Sequence, residues 1–346
     1  MPLVLSRLIP RSRGWRIALV ILALLGVVGG VWAYKVLRVE PIPEQLEEME
    51  ETPDSIVLES LSETPDLVLG EQRGFKSFYV IVGMRTPKKE GVALNRALNR
   101  WQYPTGVKGY VVGDAEGAGM FRGMAKKMLD FFRKEARFPI FVDFAGAMLR
   151  VFKLPKGHHG FVVLGEDGEV LVRKSGGIEG AELEDLRVLL GAELPPPPPA
   201  APEFAVAGLT KASCADKPCA LIFLGAPVKK VDVPGIEGGF DGSTTDGMDR
   251  MNKPEIRLAA SAVKMDLKGA HGAVIGDVDF PIPGWTVLAE AAEARAVFGL
   301  APDDTAMVIV DEQGRLALRE VGLVPMWVWG EAADLLHAEI MPGDED

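Results

Sequence analysis

Cysteine is nearly missing from this chain: Cys214 and Cys219 are the only two in 346 residues. Two thiols cannot knit a disulfide scaffold, so any large domain must be held by apolar cores. Histidine is almost as scarce, at four. His271 and His337 stand alone, and the adjacent His158 and His159 point to opposite sides if the chain there is extended. Clustered imidazole or thiolate ligands are therefore wanting, and no metal or cofactor is expected. Positive charge is short as well. The net charge of −11 argues against nucleic acid as a partner. No Ser/His/Asp set, phosphate-cradling glycine motif or carboxylate pair stands out by its spacing.

Long apolar runs are missing too, with one exception. Ile17 to Tyr34 holds 18 residues without a charge. As a helix it would reach about 27 Å, close to a hydrocarbon core of about 30 Å. Arg7, Arg11, Arg13 and Arg16 precede it, while Lys35 and Arg38 follow and then give way to acid. The positive-inside rule puts residues 1–16 in the cytoplasm, a transmembrane helix at 17–37, and the bulk outside. The expected location is a bacterial inner membrane, single-pass, with the bulk periplasmic and the lipid bilayer as first partner. A cleaved signal peptide is the competing reading, with small residues around Val31-Trp32-Ala33.

Charge is unevenly spread beyond that point. Val39 to Gln72 contains eleven acidic residues and no basic one. Residues 72–194 carry a net +6 and residues 203–346 a net −12. The stretch 38–72 is read as an acidic tether repelled from anionic headgroups. It repeats itself, however: Glu51-Thr-Pro-Asp-Ser-Ile-Val-Leu58 returns as Glu63-Thr-Pro-Asp-Leu-Val-Leu69. Each Thr-Pro-Asp starts a turn, and the apolar triplets leave open docking as edge strands. Residues 194–203, with Pro195 to Pro199 unbroken, form a semi-rigid polyproline spacer. These linkers bound a first domain at 73–193 and a second at 204–341, followed by an acidic tail at 342–346.

Strands and helices alternate in the first domain. Ser77–Val82, Val107–Val112 and Pro139–Asp143 read as strands, with helices at Val92–Trp101 and Phe121–Arg137. Gly160–Leu164, the turn Gly165-Glu-Asp-Gly168 and Glu169–Arg173 make a hairpin, and Ala181–Leu190 a closing helix. The second domain repeats the plan in order. Phe78–Gly83 is echoed by Ala220–Gly225, Val107–Asp114 by Ala270–Asp277, and Phe161–Gly168 by Met307–Gly314, before a last helix at Trp329–Ile340.

This element order resembles the thioredoxin-like superfamily, in its membrane-anchored periplasmic form. Ala294–Leu300 through Met307–Leu316 carries the clearest match. The expected fold class is α/β: an N-terminal transmembrane helix followed by two tandem thioredoxin-like α/β sandwich domains. The resemblance implies a redox Cys-x-x-Cys, or a peroxidatic cysteine, just after the first strand. Here those places read Gly83-Met-Arg-Thr-Pro-Lys88 and Gly225-Ala-Pro-Val-Lys229, with no thiol. His159 and Thr305 stand where the family has its cis-proline. Exchange chemistry needs a thiolate, so both copies are expected to be degenerate and the chain not an enzyme.

Other features stay open. Cys214-Ala-Asp-Lys-Pro-Cys219 precedes its strand; it reads as a disulfide clipping the start of the domain, a pair of free thiols, or a redox or copper pair. Asp241, Asp246 and Asp249 lie in an irregular Gly-rich loop, as cation ligands, helix caps or partner contacts. Trp327 and Trp329 are core residues or partner anchors. The function expected from all this is a non-catalytic structural subunit docked on other subunits of an inner-membrane electron-transfer complex, with a basic c-type cytochrome as a partner for the acidic domain. A thiol-redox or metallochaperone protein using Cys214 and Cys219, and a ligand-binding or signalling module, are the alternatives.

Overall fold

The computed structural model describes residues 39–340 apart from 62–64, 84–85, 119–121, 134–135, 235–246, 248–249 and 290–291. The predicted membrane helix at 17–37, the stretch 1–16 and the acidic tail at 342–346 lie outside the described residues. Among the described residues no helix is long and apolar enough to cross a membrane. The chain forms two compact units. One takes Met1–Gly91, Thr105–Leu129 and Phe138–Ile178; the other takes Val92–Pro104, Asp130–Arg137 and Glu179–Asp346.

Along the chain to residue 178 come β1 (Val57–Ser60), β2 (Leu67–Val68), β3 (Lys76–Gly83), α1 (Lys88–Arg100), β4 (Val107–Asp114), α2 (Arg122–Arg133), β5 (Ile140–Asp143), α3 (Ala147–Val151) and the hairpin β6 (Gly160–Leu164) and β7 (Val170–Ser175). The seven strands form one sheet in the order β2-β1-β5-β4-β3-β6-β7. β3 runs parallel to β4 and antiparallel to β6. Tyr79, Ile81, Tyr110, Val112, Val162 and Leu164 line one face of the core. A strand buried on both faces reads as a continuous apolar run, which is why Ser77–Val82 stood out in the sequence.

The acidic stretch read above as a tether is built into this sheet. Its two Thr-Pro-Asp repeats pair with each other, Val57 with Val68 and Leu58 with Leu67, and β1 then adds antiparallel to β5. Ile56, Leu58, Leu67 and Leu69 are buried in the first core. Burial of these side chains, each contributing roughly 1.5–3 kcal/mol, overcomes the solvation preference of the acids between them. Acids of the same stretch keep to the surface, where Asp54 pairs with Arg73 at 2.5 Å and Glu59 with Arg122 and Lys126.

The second unit contains α4 (Ala181–Leu190), β8 (Ala205–Val206), β9 (Leu209–Thr210), β10 (Cys219–Phe223), α5 (Pro254–Lys264), β11 (Met265–Asp266), β12 (His271–Ile275), β13 (Thr286–Leu288), α6 (Ala292–Val297), β14 (Ala306–Val310), β15 (Leu316–Val321), α7 (Met326–Leu335) and β16 (Glu339–Ile340). Its main sheet runs β13-β12-β10-β14-β15. Alternate residues of β10 feed two cores. Ala220, Ile222 and Leu224 face one, while Cys219, Leu221 and Phe223 face the other.

The four-strand order β4-β3-β6-β7 thus recurs as β12-β10-β14-β15, with the same parallel and antiparallel senses. Even the irregularity repeats: the hairpin register shifts between Val163 and Leu164 in one copy and between Ile309 and Val310 in the other. A glycine recurs as well. A Cβ on Gly109 would sit 2.2 Å from Phe78 Cζ, and one on Gly272 would sit 2.3 Å from Leu267 and 2.7 Å from Trp285. Each copy leaves out a side chain on its second core strand so that bulky neighbours can lie against the backbone. Gly109→Ala should therefore destabilise the first unit by about 2 kcal/mol through overpacking. Gly106→Ala, with nothing within 4 Å, is the control for urea unfolding and should change stability far less.

Candidate functional site

The two cysteines meet in the second unit. Cys219 opens β10 and Cys214 ends in the 3-10 turn Ala212–Ala215 just before it; the two are joined as a disulfide with Cα atoms 5.4 Å apart. Local bonds shape that turn. Ser213 Oγ donates to the Thr210 carbonyl at 2.7 Å, Thr210 N–H donates to Ser213 Oγ at 2.7 Å, and Cys214 N–H donates to the Lys211 carbonyl at 3.2 Å. Lys211 Nζ in turn donates to the Ala201 carbonyl at 2.7 Å, tying the turn to the end of the Pro-rich segment. Both cysteines are fully buried, in a core with Phe204, Val206 and Phe298. Cys214 Sγ lies 3.3 Å from the Thr210 carbonyl, a ready acceptor for the thiol that reduction would leave there.

The pair sits at the amino end of β10. The position where the resemblance places a redox cysteine is the other end, after Phe223, at Gly225. There the Gly225 N–H donates to Thr305 Oγ1 at 2.9 Å. A cavity of about 350 Å³ opens beside it, lined by Gly225, Pro227, Asp277 and Arg295. The Arg295 guanidinium is buried and donates to the Leu224 and Asp304 carbonyls at 2.5 and 2.7 Å. No thiol reaches that end.

The matching end of the first unit holds a group that spacing alone did not assemble. Gly83 N–H donates to Thr86 Oγ1 at 2.9 Å. Glu90, in the first turn of α1, meets both histidines: its Oε1 lies 2.9 Å from His158 Nδ1, and its Oε2 accepts from the His159 N–H at 3.0 Å. Burial raises the Glu90 carboxyl, but these bonds and the nearby imidazoles outweigh it and hold the group below its ordinary range. His159 is 3% exposed, and neither ring nitrogen finds a partner. Burial pushes its imidazole down to about 4, against the opposing pull of Glu90. Asp114, at the end of β4, is raised by burial, partly offset by the Glu116 N–H and by Lys156. The adjacent histidines take different surroundings, although the chain bends at His158 rather than running extended. The Glu90 contact had no sequence signal beyond an acid in a helix's first turn.

Asp241, Asp246 and Asp249 lie outside the described residues. Trp327 falls in the first turn of α7, and Trp329 is 6% exposed within the second core, which decides for it between core packing and an exposed partner anchor in favour of the core. Among the described residues no group of three or more His, Cys, Asp or Glu is placed to hold a metal ion.

The strand order and senses of both sheets define thioredoxin-like folds. No family model matches the chain, and no curated protein matches it by sequence. Solved structures similar to it include StoA from Bacillus subtilis, at 18% identity and a TM-score of 0.30 over 40% of this chain and 96% of that one. A thiol-disulfide isomerase from Corynebacterium glutamicum is 17% identical, with a TM-score of 0.32, over 41% of this chain and 95% of its own. The bacterioferritin comigratory protein of Xanthomonas campestris, described with alkyl peroxide reduction activity, is 17% identical, with a TM-score of 0.32, over 42% and 95%.

The expectation of a degenerate chain that is not an enzyme is corrected here. It rested on the lack of a thiol after the first strand of either copy. The chain's two sulfurs are nonetheless brought together and bonded at the other end of β10, so it holds a two-electron couple. Nothing in the described residues supports the structural-subunit reading over this one.

Proposed function

We propose that this chain is a thiol–disulfide redox protein whose couple is Cys214 and Cys219, held outside the cytoplasm by its amino-terminal apolar segment. The bond itself carries the reading: a thioredoxin-like unit joins the chain's two sulfurs. Disulfides persist in oxidising compartments, which agrees with export past an anchor at 17–37. The exchange balances without a further reactant. A thiolate of a dithiol partner attacks one sulfur of the pair, and the other leaves as a thiolate. The partner's second thiol then displaces the first. The partner ends as a disulfide, and Cys214 and Cys219 as thiols, with two electrons and two protons gained.

Burial sets the conditions for that attack. Cys219 is fixed in a central strand, whereas Cys214 rides on a short turn, so opening Ala212–Ala215 is the route to the sulfur. The loop closed by the bond is short, and chain-entropy accounts give such a loop only about 2 kcal/mol of stabilisation. The reduced unit therefore stays folded. Oxidised glutathione tests the reading on the full chain. Cys219→Ser, which leaves the turn thiol free, should form a mixed disulfide readily, and Cys214→Ser should do so much more slowly. Failure of both variants to form it under native conditions would remove the redox reading.

A further inference from the structure

We propose that His271 delivers the proton that Cys219 takes up when the Cys214–Cys219 bond is reduced. The role presupposes the couple assigned above and adds the group that lets it turn over. Attack through the opened turn falls on Cys214, so Cys219 is the sulfur that leaves. It leaves into an apolar core, fully buried with Leu221, Phe223 and Phe298. A thiolate there would be a buried charge without a partner, which is costly unless a proton reaches it. The nearest backbone groups cannot give one. Cys214 Sγ faces the Thr210 carbonyl at 3.3 Å and Cys219 Sγ the Lys217 carbonyl at 3.9 Å, and a carbonyl only accepts. Lys211 Nζ is committed to the Ala201 carbonyl and to Glu203, and Ser213 Oγ to the Thr210 carbonyl.

His271 is placed to supply what these groups cannot. β10 and β12 run parallel with Cys219 and His271 as direct partners, which sets their backbones about 4.8 Å apart. The His271 N–H donates to the Pro218 carbonyl at 2.9 Å and fixes that register. Side chains two apart on a strand share a face. Ala273 and Ile275 lie in the core that holds Cys219, Leu221 and Phe223, so the His271 side chain leaves its strand on the sulfur's own side. Beyond it the sheet ends: β13 pairs with β12 only from Ala273 onward. His271 is accordingly half-buried at the open end of its strand. Its ring has no hydrogen-bond or ion-pair partner among the described residues, and so can turn towards Cys219 once the bond opens. A neutral imidazole carries one N–H donor and one acceptor nitrogen. On reduction the N–H gives its proton to the departing sulfur while the other nitrogen takes one from bulk solvent, where the partner's own thiol released it. Reoxidation runs the same transfer backwards, and His271 ends each direction unchanged.

Reduction of the full chain in detergent by reduced dithiothreitol, and its reoxidation by oxidised dithiothreitol, test this when the thiols are alkylated and counted over time. His271→Gln keeps a polar side chain of similar size but cannot pass a proton on. It should slow reduction and reoxidation alike by about a hundredfold, the lower end of what a positioned proton donor contributes. Because a relay speeds both directions equally, the midpoint ratio of reduced to oxidised dithiothreitol should stay that of the wild type. So should the stability of the oxidised second unit in urea. His271→Asn makes the same comparison if the glutamine variant does not fold. Rates equal to wild type would overturn the relay and leave the couple standing. Slowing that comes with a shifted midpoint or a weaker fold would make His271 a packing residue and overturn the relay too. A native disulfide that dithiothreitol cannot open while the unit is folded would remove couple and relay together.

Discussion

Replacing both Cys214 and Cys219 with serine should reduce the chain's oxidation of a dithiol peptide to the uncatalysed rate. No third sulfhydryl exists to take over, so the loss should be complete rather than partial. The same double variant should lose about 2 kcal/mol of stability in the second unit, the value expected for opening so short a loop. The two effects separate cleanly. A structural clip alone would show the stability loss with no change in oxidation rate, whereas a working couple loses both. Peptide oxidation followed by thiol alkylation, alongside urea unfolding of oxidised wild type and variant, reads both numbers. Retained oxidation in the double variant would place the chemistry elsewhere.

The second large effect is acid sensitivity of the first unit, set by His159. Its imidazole titrates near 6.5 when unfolded but is pushed down to about 4 by burial in the native chain. The unfolded state therefore binds the proton first. Stability is fully present above about pH 6.5 and is lost as pH falls towards 4, by about 3 kcal/mol in all. Glu90, lowered in the folded state, loses its own contribution as pH falls through its folded value, so its effect has the same sign. Exchange of the β6 amides Phe161–Leu164 in urea should show this slope. His159→Leu should flatten it between pH 6.5 and 4. An unchanged slope in that variant would show that another group buries the proton deficit.

Much of the fold was legible because burial on both faces leaves an unmistakable trace. Val80–Val82 and Leu221–Phe223 could only be central strands, and the turn glycines Gly168 and Gly314, with φ of +88° and +69°, marked both hairpins. The duplicated order was visible for the same reason. The acidic stretch 38–72 was harder. Its charge dominates any composition average, yet Ile56, Leu58, Leu67 and Leu69 decide where it goes, and the partner they meet lies some eighty residues further on in β5. The sites were less legible still. A pair of cysteines five apart has the same spacing whether bonded or free, and only the turn at Ala212–Ala215 aims Cys214 back at Cys219. Likewise Glu90 and the His158–His159 pair come from two separated stretches, and nothing local in either announces the other.

A redox titration of the full chain tests the central claim most directly. The protein is equilibrated with graded ratios of reduced to oxidised dithiothreitol, the free thiols are alkylated and counted, and folding is followed in the same samples. The account predicts a single reversible two-electron transition of Cys214 and Cys219 while the second unit remains folded. A disulfide that resists reduction until the unit unfolds would contradict it.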